Sequence, residues 1–349
     1  MLQGIRKFAE KIQYILWAYR MKYCLEKGYF SYFFKRIKND FLKMLGFARL
    51  SKLFLCPSHD CNANCPHCYE KYLHKKEGNS LTTEQCQEII NQFAALGGYF
   101  IYFCSGEFLL RPDALDLIRY CHNKNMIVSI TTNGILLNAK KIDDLKEAGL
   151  NILIISIDSA DPDEHNKLRG VPGCFENATE GLRLAKEKGL KTWIWTYMTK
   201  SHADKLDGIA ELGRKLKVDS VYIFFTLLSG NLYNKFAENF TVDERSAIRK
   251  KYLFQKPIVF EFPSESLSSY CNGGGREHIN IMPSGDATFC PPVPFSYGNI
   301  KKESLKALLA KIGADYKRLK HCTCQQCPVN YVEYREKCNA KFIYPEEKI

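Results

Sequence analysis

Residues 52–225 alternate short apolar runs with amphipathic stretches, and few architectures satisfy that alternation. The pattern predicts strands over 52–56, 99–104, 126–132, 152–157, 192–198 and 220–225, with helices over 82–96, 112–123, 138–148, 174–188 and 203–216. Strands that are apolar throughout and separated by helices imply a parallel sheet with right-handed crossovers. Six such units suit an α/β fold built on a partial (β/α)6 barrel, three quarters of the eight-stranded TIM form. Functional loops of such barrels lie at the C-terminal ends of the strands.

The loop after the first strand carries Cys61-Asn-Ala-Asn-Cys65-Pro-His-Cys68, three thiols in eight residues. A 4Fe-4S cube takes four thiolates, so three closely spaced ligands leave one iron open to a small molecule. The alternative is a tetrahedral zinc site completed from Cys56, His59 or His67. Zinc sites usually pair two knuckles a dozen or more residues apart, whereas these thiols crowd one loop.

The three-then-two spacing resembles the signature of the radical S-adenosylmethionine (radical SAM) superfamily. Resemblance to that family implies that Cys61, Cys65 and Cys68 hold a catalytic 4Fe-4S cluster and that SAM chelates its open iron. An electron then cleaves SAM to methionine and a 5′-deoxyadenosyl radical, which removes hydrogen from an unactivated C–H bond. The reducing partner would be a ferredoxin or flavodoxin.

Later loops fit the same resemblance. Cys104-Ser105-Gly106-Glu107 is similar to the family's Gly-Gly-Glu motif, which holds the SAM amino group. Ser105 stands where glycine is usual, a replacement expected to be harmless if that backbone does not need a positive φ. Thr131-Thr132-Asn133-Gly134 resembles the family's turn after the third strand. Ser156 and Asp158 alternate on one strand face, where family members bind ribose hydroxyls. His165 and Arg169-Gly170 match a segment of peptide-modifying members, with Arg169 suited to the SAM carboxylate and Asn166 replacing the usual Asp. Singly these are a turn, a helix cap and a solvated carboxylate; in order, each at a strand end, they reinforce one another. Cys104, at the mouth-facing end of its strand, is a candidate hydrogen-atom donor, against ordinary packing.

Cys271, Cys290, Cys322, Cys324, Cys327 and Cys338 fall in the last 80 residues, after 96 residues without cysteine. Residues 278–290 read as a hairpin turning at Ser284-Gly285-Asp286, and a helix is expected over 304–312. This stretch resembles the opening of the SPASM domain and its shorter twitch relative. The resemblance implies one auxiliary 4Fe-4S cluster on Cys271, Cys290, Cys324 and Cys327, with Cys322 and Cys338 as substitute or additional ligands. Zinc is the rival for these knuckles. A disulfide framework fits poorly without a signal peptide, so a reducing, oxygen-poor cytoplasm is expected.

Residues 1–50 hold eleven Lys and Arg against three acidic residues, carrying +8 of the formal net charge of +12. Twelve aromatic residues interleave with them, which suggests basic amphipathic helices. They dock on the barrel or lie on a membrane surface; no run is long enough to span a bilayer, and nucleic acid is the weaker fit. The expected organisation is 1–50 N-terminal segment, 51–225 barrel, 226–270 bridge and 271–349 auxiliary cluster domain. The bridge is expected to hold a helix over 242–252 and a strand over 257–262. Relatives of this domain pair chiefly modify peptides or proteins by crosslinking, epimerisation or oxidation, and others act on sugars, cyclitols or lipid-linked molecules. A metal-binding scaffold without turnover is the non-enzymatic alternative.

Overall fold

The first strand, β1 (Lys52–Leu55), is paired on both sides, which makes it the organising element of the sheet. The computed structural model describes residue 34 and residues 50–70, 80–252, 255–260, 277–293, 295–318 and 341–342. The expected N-terminal helical segment lies outside the described residues except for Phe34 and Leu50, as do Cys271, Cys322, Cys324, Cys327 and Cys338.

Five further strands continue from β1 in sequence order: β2 (Phe100–Phe103), β3 (Ile127–Thr132), β4 (Ile152–Ser156), β5 (Lys191–Met198) and β6 (Ser220–Phe225). Each pairs in parallel with the one before it. The crossovers carry helices α1 (Thr83–Ala95), α2 (Ala114–Asn123), α3 (Ala139–Glu147), α4 (Pro162–Arg169), α5 (Cys174–Glu187) and α6 (Leu206–Lys215). This is the partial barrel expected from the alternation. The bridge supplies α7 (Val242–Tyr252) and β7 (Ile258–Phe260), and β7 extends the sheet in parallel beyond β6.

The opposite edge is closed by chain more than 200 residues away. The strand β8 (His278–Ile281) pairs in parallel with β1, and β9 (Ala287–Thr288) folds back antiparallel on β8. The turn between them is the expected one, closed by Gly285 N–H donating to Met282 O at 2.8 Å. The sheet thus has nine strands in the order β7-β6-β5-β4-β3-β2-β1-β8-β9. A second, small sheet pairs β10 (Phe295–Ser296) with β11 (Lys341–Phe342) on either side of α8 (Leu305–Arg318).

Period-two alternation sorts the strand residues into two layers. Leu53, Leu55, Ile101, Phe103, Val128, Ile130, Leu153, Ile155 and Val221 turn outward and are wholly buried against the helices. Phe54, Tyr102, Ile154 and Trp193 turn inward and pack a second core within the barrel. Phe54 stacks on Tyr102 at 4.6 Å, and Tyr102 on Phe100 at 4.5 Å.

Local signals fix the helix ends. A capping box links Thr82 and Gln85 at the start of α1, and Asn138 caps α3. The short α4, absent from the sequence reading, begins with Asp161 accepting from Glu164 N–H and Pro162 in its first turn, and ends on left-handed Gly170. Among the described residues no helix is long and apolar enough to cross a membrane.

Candidate active site at the mouth of the barrel

The cysteine loop leaves β1 and is tied down from three directions. Its Asn64 N–H donates to Arg169 O at 2.9 Å, joining it to the end of α4. Asn231, in the loop after β6, donates its N–H to Cys68 O at 2.9 Å and its side-chain amide to Cys65 O at 3.2 Å. Asn62 Oδ1 accepts from Asn133 Nδ2 at 2.8 Å, which adds the end of β3. Gly230 makes this packing possible: at φ +55, a Cβ there would lie 2.2 Å from Cys68 O.

Cys61, Cys65 and Cys68 are all half-buried free thiols. Burial pushes the Cys61 thiol up to about 11 and the Cys68 thiol up to about 12. Arg169 Nη1 approaches Cys65 Sγ at 3.8 Å, and Ala63 N–H approaches Cys61 Sγ at 3.5 Å. Cationic and amide donors around soft thiol ligands suit an iron-sulfur cluster. The zinc set considered for this loop is not assembled. Cys56 bonds Asn280 Oδ1 at 3.2 Å, His59 faces Glu70 and His67 faces Asp158. Among the described residues no three His, Cys, Asp or Glu side chains converge on a single metal ion.

The loop after β2 meets the cysteine loop through its main chain. Glu107 N–H donates to Asp60 O at 2.7 Å, and Gly106, at φ +54, lies where a Cβ would come within 2.4 Å of that carbonyl. Ser105 corrects the sequence expectation, because its φ is +79 and the position does require a left-handed backbone. That conformation costs a residue with a Cβ about 1–2 kcal/mol. Its hydroxyl donates a short hydrogen bond to Glu70 Oε2, which also accepts from Gly106 N–H at 3.1 Å.

Glu107 is buried, and its carboxylate spans two loops by accepting from Asn133 N–H at 2.8 Å and Leu109 N–H at 3.2 Å. Burial raises its pKa, opposed by the Asn133 amide and the Thr132 side chain. Cys104 is buried immediately before this loop, with its sulfur 3.6 Å from that of Cys56.

Ser156 ends β4 half-buried, and Asp158 lies two residues beyond. Asp158 and Arg169 engage each other, Arg169 Nη2 standing 2.6 Å from Asp158 Oδ2. His67 Nε2 reaches the same oxygen at 3.1 Å, and Tyr197 N–H donates to Oδ1 at 3.0 Å. Burial works to raise the Asp158 carboxyl, but Arg169 and His67 outweigh it and hold the group well below the usual carboxylate range. Behind the pair, wholly buried His165 accepts from Asp158 N–H through Nδ1, and burial lowers its pKa to about 4. The imidazole is therefore neutral and carries its proton on Nε2.

A cavity of about 140 Å³ opens beside this cluster, lined by His67, Asp158, Tyr197, Thr199, Ser201 and Glu238 among others. From sequence His67 is only a zinc candidate, and Glu70, Tyr197 and Asn231 carry no motif that marks them. Position inside the cysteine run was the available signal for His67, and an acidic side chain two residues after Cys68 for Glu70.

Residues 55–226 match the family model of the radical SAM superfamily, and residues 271–328 match that of an iron-sulfur cluster-binding domain, SPASM. The chain belongs to the radical SAM superfamily. Its cofactors are accordingly SAM and a 4Fe-4S cluster, with iron-sulfur binding also in the C-terminal domain. That second match spans Cys271, Cys290, Cys322, Cys324 and Cys327 and ends before Cys338.

Among curated proteins, this radical SAM chain is 30% identical over 170 residues to an AdoMet-dependent heme synthase of Methanosarcina barkeri, covering 49% of each chain. It is 29% identical over 221 residues to an Fe-coproporphyrin III synthase of the same organism, covering 61% of this chain and 54% of that one. The chain spans about half the length of the curated relatives it matches. Among solved structures, Streptococcus suis SuiB bound to its precursor peptide SuiA superposes with a TM-score of 0.67 at 16% identity, over 87% of this chain and 77% of that one. AnSMEcpe with bound AdoMet gives 0.61 at 16% identity, over 84% and 93%. These structures share the fold.

Proposed function

We propose that Cys61, Cys65 and Cys68 hold the catalytic cluster and that SAM lies between it and the loops ending β2 and β4. The observation that carries this reading is the convergence of three half-buried thiols, the Ser105–Glu107 loop and the Asp158–Arg169 pair at one mouth. Bound there, the cluster supplies the electron that cleaves SAM to a 5′-deoxyadenosyl radical. The chain's own residues bind and orient. The main chain of Ser105 and Gly106 would hold the SAM amino group, Arg169 its carboxylate, and Ser156 and Asp158 the ribose. Asp158 and Arg169 are pre-paired, so their orientation is set before SAM arrives, which lowers the ordering cost of binding. The cavity beside His67 and Tyr197 would take the adenosyl end.

The substrate held at this mouth would be a peptide or protein side chain, and the SAM-derived chemistry supplied there would serve crosslinking, epimerisation or oxidation. In this reading Cys271, Cys290, Cys324 and Cys327 carry one auxiliary cluster, Cys104 is the candidate hydrogen-atom donor where the outcome is epimerisation, and residues 1–50 dock on the barrel or contact a membrane surface. A second reading, a flat conjugated small molecule, is favoured by the ring-lined barrel interior and by the heme-related names of the curated relatives.

The triple variant Cys61→Ala/Cys65→Ala/Cys68→Ala tests the site. It is expected to lose deoxyadenosine formation while keeping the iron of the C-terminal domain. Continued reductive cleavage of SAM by that variant would end the assignment.

A further inference from the structure

Glu70 joins the two loops that the proposed site depends on, and nothing in the superfamily motif assigns it a role. Its main-chain N–H bonds the Cys68 thiol. Its side chain, 2% exposed, accepts at Oε2 from Ser105 Oγ and from Gly106 N–H, and His59 Nδ1 lies 3.4 Å from the same oxygen. Ser105 is one of four described non-glycine residues at positive φ, and it occupies the place where the resembling motif has glycine. A side chain at φ +79 is disfavoured by contact of its Cβ with the backbone. It persists where the surroundings over-determine it, and here the hydroxyl and the next amide are both anchored on one buried oxygen.

We propose that Glu70 is a positioning residue for the SAM-binding loop, holding Ser105 in the left-handed conformation that glycine adopts unaided and so setting the main chain that receives the SAM amino group. The inference rests on the site reading above. It treats Ser105 and Glu70 as a compensated pair: serine introduces strain, and the carboxylate supplies the anchor that offsets it. Loss of the anchor should therefore matter only while residue 105 carries a Cβ.

The test is a double-mutant cycle on the full, anaerobically reconstituted chain, reading the SAM dissociation constant, the iron content and amide exchange across residues 104–107. Glu70→Ala is expected to weaken SAM binding about tenfold or more, with faster exchange at Gly106 and iron content unchanged. Adding Ser105→Gly should restore binding to within about threefold of wild type. Should Glu70→Ala fail to fold, Ser105→Ala against Ser105→Gly poses the same question, because alanine keeps the strain and loses the hydroxyl's bond to Glu70 while glycine loses that bond and the strain together. Weakened SAM binding in Ser105→Ala but not in Ser105→Gly supports the proposal.

Unaltered SAM binding in Glu70→Ala, or a defect that Ser105→Gly leaves uncorrected, overturns the proposal. If wild type itself binds no SAM, the site reading falls and the SAM-positioning role falls with it, while the exchange measurement separately reports whether Glu70 holds the loop.

Discussion

The layer between sheet and helices and the mouth of the barrel are both buried, yet they are stabilised by opposite means. In the layer, Leu53, Phe103, Ile130 and Leu153 are held by apolar burial alone, each strand contributing alternate residues. At the mouth, Glu70, Glu107, Asp158 and Arg169 are buried too, and each is met by a hydrogen-bonding or charged partner. Apolar packing tolerates changes of volume and degrades gradually. A buried polar network fails when one member is removed, because the partner left behind is unsatisfied. The contrast separates the part of the molecule that holds its shape from the part proposed to hold its cofactors.

The comparison is broken most severely at Gly230. Gly230→Ala forces a Cβ to within 2.2 Å of Cys68 O at a left-handed position. It is expected to displace the cysteine loop and to remove most of the cluster iron bound there, as iron analysis and visible absorption would show, while far-ultraviolet circular dichroism keeps the barrel signal. Full iron loading would mean that the mouth is more compliant than its contacts imply.

Arg169→Ala comes next. It leaves Asp158 buried with His67 as its remaining side-chain partner, and breaking a buried pair in this way costs about 3–5 kcal/mol. Denaturant unfolding should register that loss together with weakened SAM binding. Retained stability would indicate that Asp158 is neutralised by other means.

A buried histidine away from the mouth gives a pH signature of smaller size. Burial lowers the His278 pKa to about 4, below its ordinary value of 6.5. The unfolded chain therefore takes up the proton first as the medium is acidified. The stability that neutral His278 contributes is present above pH 6.5 and is lost as pH falls from there through about 4, a change on the order of 3 kcal/mol at most. His278→Phe should flatten the thermal midpoint against pH across that window.

The smallest effect belongs to the apolar layer. Ile130→Val removes one methylene from a wholly buried position and should cost roughly 0.5–1.5 kcal/mol, with SAM affinity unchanged. A loss of affinity would show that the layer and the mouth are coupled.

The same division explains what the sequence made legible. The six barrel strands and most helices could be read because Leu53, Ile101 or Val128 follow apolar periodicity, a local property of the chain. The short α4 was missed although Asp161-Pro162 is a sound start signal, because eight residues carry too little periodicity to register. The pairing of β8 with β1 could not be read, since it joins Lys52 to His278 across the whole barrel. At the mouth, the motifs identified Cys61, Glu107, Asp158 and Arg169 as residues that matter. They did not say that Asp158 meets Arg169 and His67, or that Ser105 sits at positive φ beside Glu70. Partner choice there depends on loops from several strand ends converging in space, and each loop is short and irregular.

The most direct test of the central claim is anaerobic reconstitution, iron and zinc analysis, and incubation with SAM and dithionite while following 5′-deoxyadenosine. The account predicts roughly eight irons per chain, as two 4Fe-4S clusters require, and deoxyadenosine that depends on both SAM and reductant. Zinc in place of iron, or a full complement of iron with no SAM cleavage, would contradict it and favour a metal-binding scaffold.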